Sequence, residues 1–259
     1  MVPVSSIILM SVNALLGFAV PVCLSLYLVR KHHARFSTIL TGAGVFILFA
    51  LVLESIMHQL VLKGPHGASI LGNTLLYAAY GGLAAGVFEE TGRFVAMKFL
   101  MKKEPSTALP GIAYGAGHGG AEMLIIFGVT MVSNLAMAFL INSGQSNALI
   151  AQVPVDAAAQ VQAQFDTLQT TSVGTWLIGL WERFSALVLQ LGLSVLVWAA
   201  VRKGGKWLWL FPAAILLHAL VDAGAVLLQK SAGMVALELI VMSEAVAVGA
   251  IAWMVAKKM

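Results

Sequence analysis

The sequence predicts an all-α, polytopic membrane helix bundle of about seven transmembrane helices, N-terminus outside and C-terminus cytoplasmic. Three observations carry this. The 259 residues are 60% hydrophobic and only 10% charged, where soluble domains carry about 25% charged residues; a soluble fold of this length could not cover its core with so little charge. Seven apolar runs each approach or exceed the roughly 20 residues that a bilayer crossing requires. The basic residues cluster after alternate runs, as the positive-inside rule expects.

In order, the runs are 6–29, 38–62, 70–100, 111–141, 175–201, 207–228 and 234–256. The first has no basic segment before it and nothing charged before Arg30, so it reads as a retained helix and not a cleavable signal. The third and fourth exceed the span and are expected to tilt or project. Arg30, Lys31 and Arg35 follow the first run; Lys98, Lys102 and Lys103 end the third; Arg202, Lys203 and Lys206 follow the fifth; Lys257 and Lys258 follow the seventh. These are eleven of the fifteen Lys and Arg, while the opposite loops hold only Lys63 and Lys230. Trp176 and Trp181 toward one face, and Trp198, Trp207, Trp209 and Trp253 toward the other, are expected as interfacial anchors.

The one long connection, 142–174, has no Lys or Arg and is expected outside the membrane. Val161, Phe165 and Leu168 recur there at helical spacing after Pro154 and Asp156. They predict a short amphipathic helix on the membrane surface, with Asp156 as its N-cap. The chain reads as a single integral membrane domain without an internal repeat. The net charge of +4 belongs to the loops and does not imply nucleic acid. Cys23 is the one cysteine, so no intrachain disulfide is possible.

Charges at bilayer depth are costly and mark function. Glu89, Glu90 and Arg93 share one segment, with Arg93 at i+4 and i+3 from the two acids. One cation facing two carboxylates leaves a pair that titrates jointly and that suits general acid–base hydrolysis; the plainer alternative is a packing salt bridge. His118 and Glu122 stand at i, i+4 in the fourth run, four residues beyond Tyr114, and His218 and Asp222 repeat that spacing in the sixth. An acid beside an imidazole fixes its orientation; a lone interhelical hydrogen bond is the alternative. Gly82 and Gly86, and Gly111, Gly115 and Gly119, have the spacing that lets helices approach, and predict that the third and fourth spans pack on each other there. Counted at about 1.5 Å per residue, Glu89, His118 and His218 fall at one level. Glu54, His58, Glu182, Arg183 and Glu238 fall in another, with a structural Glu54–Arg183 bridge.

At Glu89-Glu90-Thr-Gly-Arg93, Tyr114 to His118, and His218-Ala-Leu-Val-Asp222 the chain resembles the glutamic intramembrane peptidases, a superfamily that includes the CAAX prenyl endopeptidases, bacteriocin-processing proteins and PrsW-like proteases. The nearest pattern is that of the bacterial YhfC family. The resemblance covers most of the chain in helix order. It implies that Glu89 and His118 activate water, that His218 and Asp222 support the oxyanion, and that Glu90 and Arg93 orient the first acid. Glu122 and Tyr114 would stand behind them. Two departures are plain: the step from the acid pair to Arg93 is one residue shorter than in the CAAX enzymes, and Asp222 replaces an Asn. An ionised Asp cannot donate to an oxyanion.

The expected activity is therefore an intramembrane endopeptidase of the bacterial cytoplasmic membrane, acting without a cofactor on a membrane-embedded or membrane-proximal protein or peptide. Three rivals differ in class. A zinc protease would use His118, His218 and Glu89 or Glu122 as ligands. A proton- or ion-coupled transporter would use the acid–His pairs as relays. A bacteriocin-immunity-like membrane protein would not catalyse at all.

Overall fold

The computed structural model describes residues 1–229 and 231–259, with Asp156 described by its backbone alone; Lys230 lies outside the described residues. Every regular element among them is helical. Among the described residues six helices are long and apolar enough to cross a membrane: Val4–His32, Phe36–Leu62, Leu109–Asn142, Val173–Lys203, Gly205–Leu228 and Met234–Ala256. The remaining expected span is Thr74–Phe99, of 26 residues. It is long enough, and Glu89, Glu90, Arg93 and Lys98 are what lower its apolarity.

The helices are α1 (Val4–His32), α2 (Phe36–Val45), α3 (Ser55–Leu62), α4 (Gly67–Leu71), α5 (Thr74–Phe99), α6 (Leu109–Glu122), α7 (Thr130–Asn142), α8 (Ser146–Ile150), α9 (Val155–Thr170), α10 (Val173–Lys203), α11 (Leu210–Leu228) and α12 (Met234–Ala256). Two π-helical stretches, Phe46–Glu54 and Met123–Val129, join α2 to α3 and α6 to α7. Such stretches are rare and concentrate at functional sites. Leu40, Leu83, Leu220 and Leu239 are exposed, and an apolar outward face of this kind is what a lipid solvent permits.

The chain forms two compact units. The first comprises Met1–Val20 and Met123–Arg183. Its core gathers Met10, Phe127, Met131, Phe165, Leu168 and Trp176, and the Asn142 side chain exchanges two hydrogen bonds with the backbone of Val2. Here α9 lies in the segment expected as a surface helix. Phe165 and Leu168 are buried against this core, so the apolar face turns to protein. Pro154, not Asp156, occupies the N-cap position.

The second unit comprises Pro21–Glu122 and Phe184–Met259. Its glycines seat helices differently from the expectation. Gly82 and Gly86 of α5 face α11, where a Cβ would stand 2.3 Å from the Ala219 carbonyl oxygen and 2.6 Å from that of Ile215. Gly111, Gly115 and Gly119 of α6 face Trp198, Ser194 and Gln190 of α10. The two stripes thus serve two separate neighbours instead of each other, because each helix offers a small-residue face to a different partner. Trp198 is likewise no interfacial anchor: it is fully buried, and its indole N–H donates to the Thr107 carbonyl at 2.8 Å.

The tightest seam joins α2 and α6, where a Cβ on Gly117 would stand 1.8 Å from the Ile39 carbonyl oxygen. Gly117→Ala is expected to lower the detergent melting temperature. Overpacking costs about 1–3 kcal/mol, more than the roughly 1 kcal/mol of helix propensity gained. Gly81→Ala, with nothing within 4 Å, should melt at or above the parent; equal melting of the two variants would show that this seam is not tight.

Candidate active site

The site lies wholly in the second unit and is assembled on α5. One helical turn separates Arg93 from its acids, so the guanidinium lies 3.1 Å from Glu90 Oε1 and 4.0 Å from Glu89 Oε2. Glu90 and Arg93 are fully buried and Glu89 is 7% exposed. The histidines arrive from other helices. His118 of α6 places Nε2 2.8 Å from Glu89 Oε2, and His218 of α11 places Nδ1 2.9 Å from Glu90 Oε1. Each α5 acid therefore holds one imidazole.

The hydrogen bonds thus run between helices; of the two i, i+4 pairs that the sequence suggests, His218–Asp222 is present as an ion pair and His118–Glu122 is not. Asp222 is 3.7 Å from His218 Nε2, an ion-pair distance and too long for a hydrogen bond. Glu122 bonds not to His118 but to Gln190. Sharing a helix face brings two side chains near each other, but a carboxylate on a facing helix meets the ring nitrogen with better direction. His118 is further fixed by the Tyr114 ring, stacked at 6.0 Å between centroids, and by the Phe46 ring, edge-on at 5.3 Å. The Phe49 ring of the same π-helical stretch fills the space that a Cβ on Gly92 would take.

Gln190 of α10 is the residue that sequence reasoning missed. Its amide N–H groups donate to Glu89 Oε2 and Glu122 Oε2, both at 3.0 Å, and its carbonyl accepts from Arg93. It is buried, with 3% exposure. A search for ionisable groups passes over an amide, yet a lone Gln between Leu189 and Leu191 in an apolar run is itself the signal, because a buried amide needs partners. Ser194, one turn on, donates to the Gln190 backbone carbonyl.

Glu54 also belongs here and not in a separate layer. It lies within electrostatic range of Glu89, His218 and Asp222, and its carboxylate holds His58 Nε2 at 3.1 Å. His58 Nδ1 in turn meets the Tyr80 hydroxyl at 2.8 Å. The nine residues Phe46–Glu54 are π-helical, with more residues per turn than an α-helix. A depth count at about 1.5 Å per residue therefore carries Glu54 too far. Arg183 bonds to its chain neighbour Glu182.

The cluster has a closed side and an open side. Glu90, Arg93, His118 and Tyr114 are sealed, whereas the Asp222 side chain is 39% exposed. Oε2 of Glu89 receives His118 and Gln190, which leaves Oε1 as the oxygen able to address a water.

A sequence model described as the YhfC intramembrane metalloprotease matches residues 16–247. The chain belongs to the YhfC family. It is 37% identical over 231 residues to the uncharacterized membrane protein YhfC of Bacillus subtilis (strain 168), an alignment covering 89% of this chain and 88% of that protein. No solved structure matches. YhfC-family membership makes this a multi-pass membrane protein of an intramembrane protease family, consistent with the bacterial cytoplasmic membrane.

The family description implies a metal. The residue types at the site, two imidazoles and several carboxylates, are those that bind zinc, but their arrangement does not fit. A catalytic zinc takes three protein ligands and keeps an open position. Among the described residues no three His, Cys, Asp or Glu are gathered in that way. The donor atoms are turned on one another instead: Glu89 Oε2 and Glu90 Oε1 each hold an imidazole, and the Arg93 guanidinium lies beside both. A divalent ion there would meet a permanent cation.

Proposed function

We propose that this protein hydrolyses a peptide bond of a membrane-inserted protein or peptide, using a water activated by Glu89 and His118 and no metal. The supporting observation is the Glu89 carboxylate, clamped through Oε2 by His118 at 2.8 Å and Gln190 at 3.0 Å. A carboxylate fixed at one oxygen presents the other as a general base in a set direction. Glu89 Oε1 takes a proton from water as the oxygen attacks the scissile carbonyl carbon. The proton then passes to the leaving nitrogen as the C–N bond breaks. His118 keeps the base oriented. His218 in its imidazolium form holds Glu90 through Nδ1 and turns Nε2–H toward the open edge, where it stabilises the developing oxyanion. Asp222, an acceptor at that edge, orients His218 and does not itself bind the oxyanion.

Cleavage by the purified protein should survive a strong chelator, with less than about one zinc per chain, the stoichiometry that a catalytic zinc requires. The measurement is the appearance of new amino termini in a membrane-inserted reporter. Activity lost in chelator and restored by zinc alone would replace this mechanism with one in which Glu89 is a ligand or a base beside a metal-bound water.

The reading includes an orientation. The eleven clustered basic residues support an outside N-terminus and 142–174 segment, with the segments 30–36, 102–109 and 202–206 inside. Single cysteines in a Cys23→Ala background are expected to react with an impermeant thiol reagent from outside at 142–174 and not at 202–206. The opposite labelling pattern overturns the orientation.

A further inference from the structure

The first unit contains a cavity of about 300 Å³ that the proposed chemistry does not use. Ile126, Phe127 and Met131 line it together with Asn13 and Trp176, and Glu182 and Arg183 stand at the same walls. Asn13 is 1% exposed and Trp176 is 8% exposed. Asn13 Oδ1 and Trp176 Nε1 are buried and have no hydrogen-bond partner among the described residues. The Asn13 amide is not free to turn, because its Nδ2 donates to the Trp176 backbone carbonyl at 2.8 Å. That bond fixes Oδ1 as an acceptor, while the indole N–H of Trp176 is a donor only. Buried polar groups are normally paired, so an unpaired acceptor and an unpaired donor on two residues that line one largely apolar cavity call for an explanation.

We infer that this cavity is a substrate-backbone subsite, holding an unwound apolar stretch of the membrane-inserted polypeptide through Asn13 Oδ1 and Trp176 Nε1–H. The inference rests on the protease reading and deepens it. A helical segment has no backbone group to spare, and a peptide bond must leave the helix before water can attack it. The freed N–H and C=O groups have no partner in lipid, which is costly. A protease working there has to supply partners. An extended peptide offers one donor and one acceptor per residue, the complement of the two unpaired atoms, and its apolar side chains match Ile126, Phe127 and Met131. An ester phospholipid offers acceptors along its apolar part but no donor for Asn13, which favours the peptide over the lipid.

The test uses full-length protein in nanodiscs of fixed composition, labelled with 5-fluorotryptophan, and the Trp176 resonance is identified by its loss in Trp176→Phe. The probe is N-acetyl-trileucine N-methylamide. It should shift that resonance saturably, and its analogue with every backbone nitrogen methylated should bind at least tenfold more weakly to the unaltered protein. Asn13→Leu should weaken the parent probe similarly, with a melting curve taken alongside. In cleavage, Trp176→Phe should raise KM at least tenfold, with the loss falling in KM and not in kcat. Equal binding of the two probes, an unmoved Trp176 resonance, or displacement of the probe by added phospholipid would overturn the subsite, the last marking a lipid groove. Glu89→Gln separates the two readings. If cleavage stops in that variant and the probe still fails, the subsite alone falls; if cleavage persists, the proposed catalysis falls and the binding result stands by itself.

Discussion

Glu89→Gln is expected to lower the cleavage rate by about 10²–10⁴-fold, the range that a positioned general base contributes, with the melting temperature almost unchanged. The amide has the shape of the acid, and its carbonyl can still accept from His118 and Gln190, the partners of Oε2. Arg93 keeps Glu90 at 3.1 Å and the Gln190 carbonyl. The packing should therefore survive while the group proposed to take the proton is lost. Glu89→Asp retains the base but withdraws it by one methylene, and a misplacement of about 1 Å can cost about 10²-fold. The rates should fall in the order Glu, Asp, Gln. Single-turnover rates beside melting curves separate this from misfolding; a Gln variant that cleaves at the parental rate would remove Glu89 from the mechanism.

Much of this was legible in the sequence, for physical reasons. Apolar length and basic clusters mark membrane helices because the bilayer is a uniform solvent, and the described helices begin and end within a few residues of the apolar runs. The in-membrane ionisable residues were legible as a set because charge is costly there; Glu89, Glu90, Arg93, His118 and His218 do converge. Spacing within one helix could not tell which of them touch. His118 and Glu122 share a face, yet their bonds go to Glu89 and Gln190. Gln190 was invisible to a search based on charge, and Glu54 was misplaced because a count of residues assumes an α-helical rise. Glycine spacing announced close approach but not the partner: Gly86 fits α11 and Gly115 fits α10, and only the tertiary arrangement distinguishes them.

Arg93→Ala is expected to damage the fold as well as the reaction. The guanidinium is fully buried, 3.1 Å from Glu90 and 4.0 Å from Glu89, and it donates to the Gln190 carbonyl. It thus links α5 to α10 while its charge offsets the two acids on its own helix. Removing it leaves two carboxylates without their cation and opens a cavity where the side chain lay; breaking one side of a buried ion pair costs about 3–5 kcal/mol. The melting temperature in detergent should fall far below that of Glu89→Gln. The cause is tested by removing the stranded charge. Replacing a buried pair by uncharged groups of similar volume is often close to neutral, so Arg93→Met combined with Glu90→Gln should recover much of the lost stability. Cleavage should stay low in the double variant, because an amide at position 90 lacks the negative charge that favours the proposed imidazolium form of His218, 2.9 Å away. A single Arg93→Ala protein that melts like the parent would show that the buried pairing does not hold these helices together.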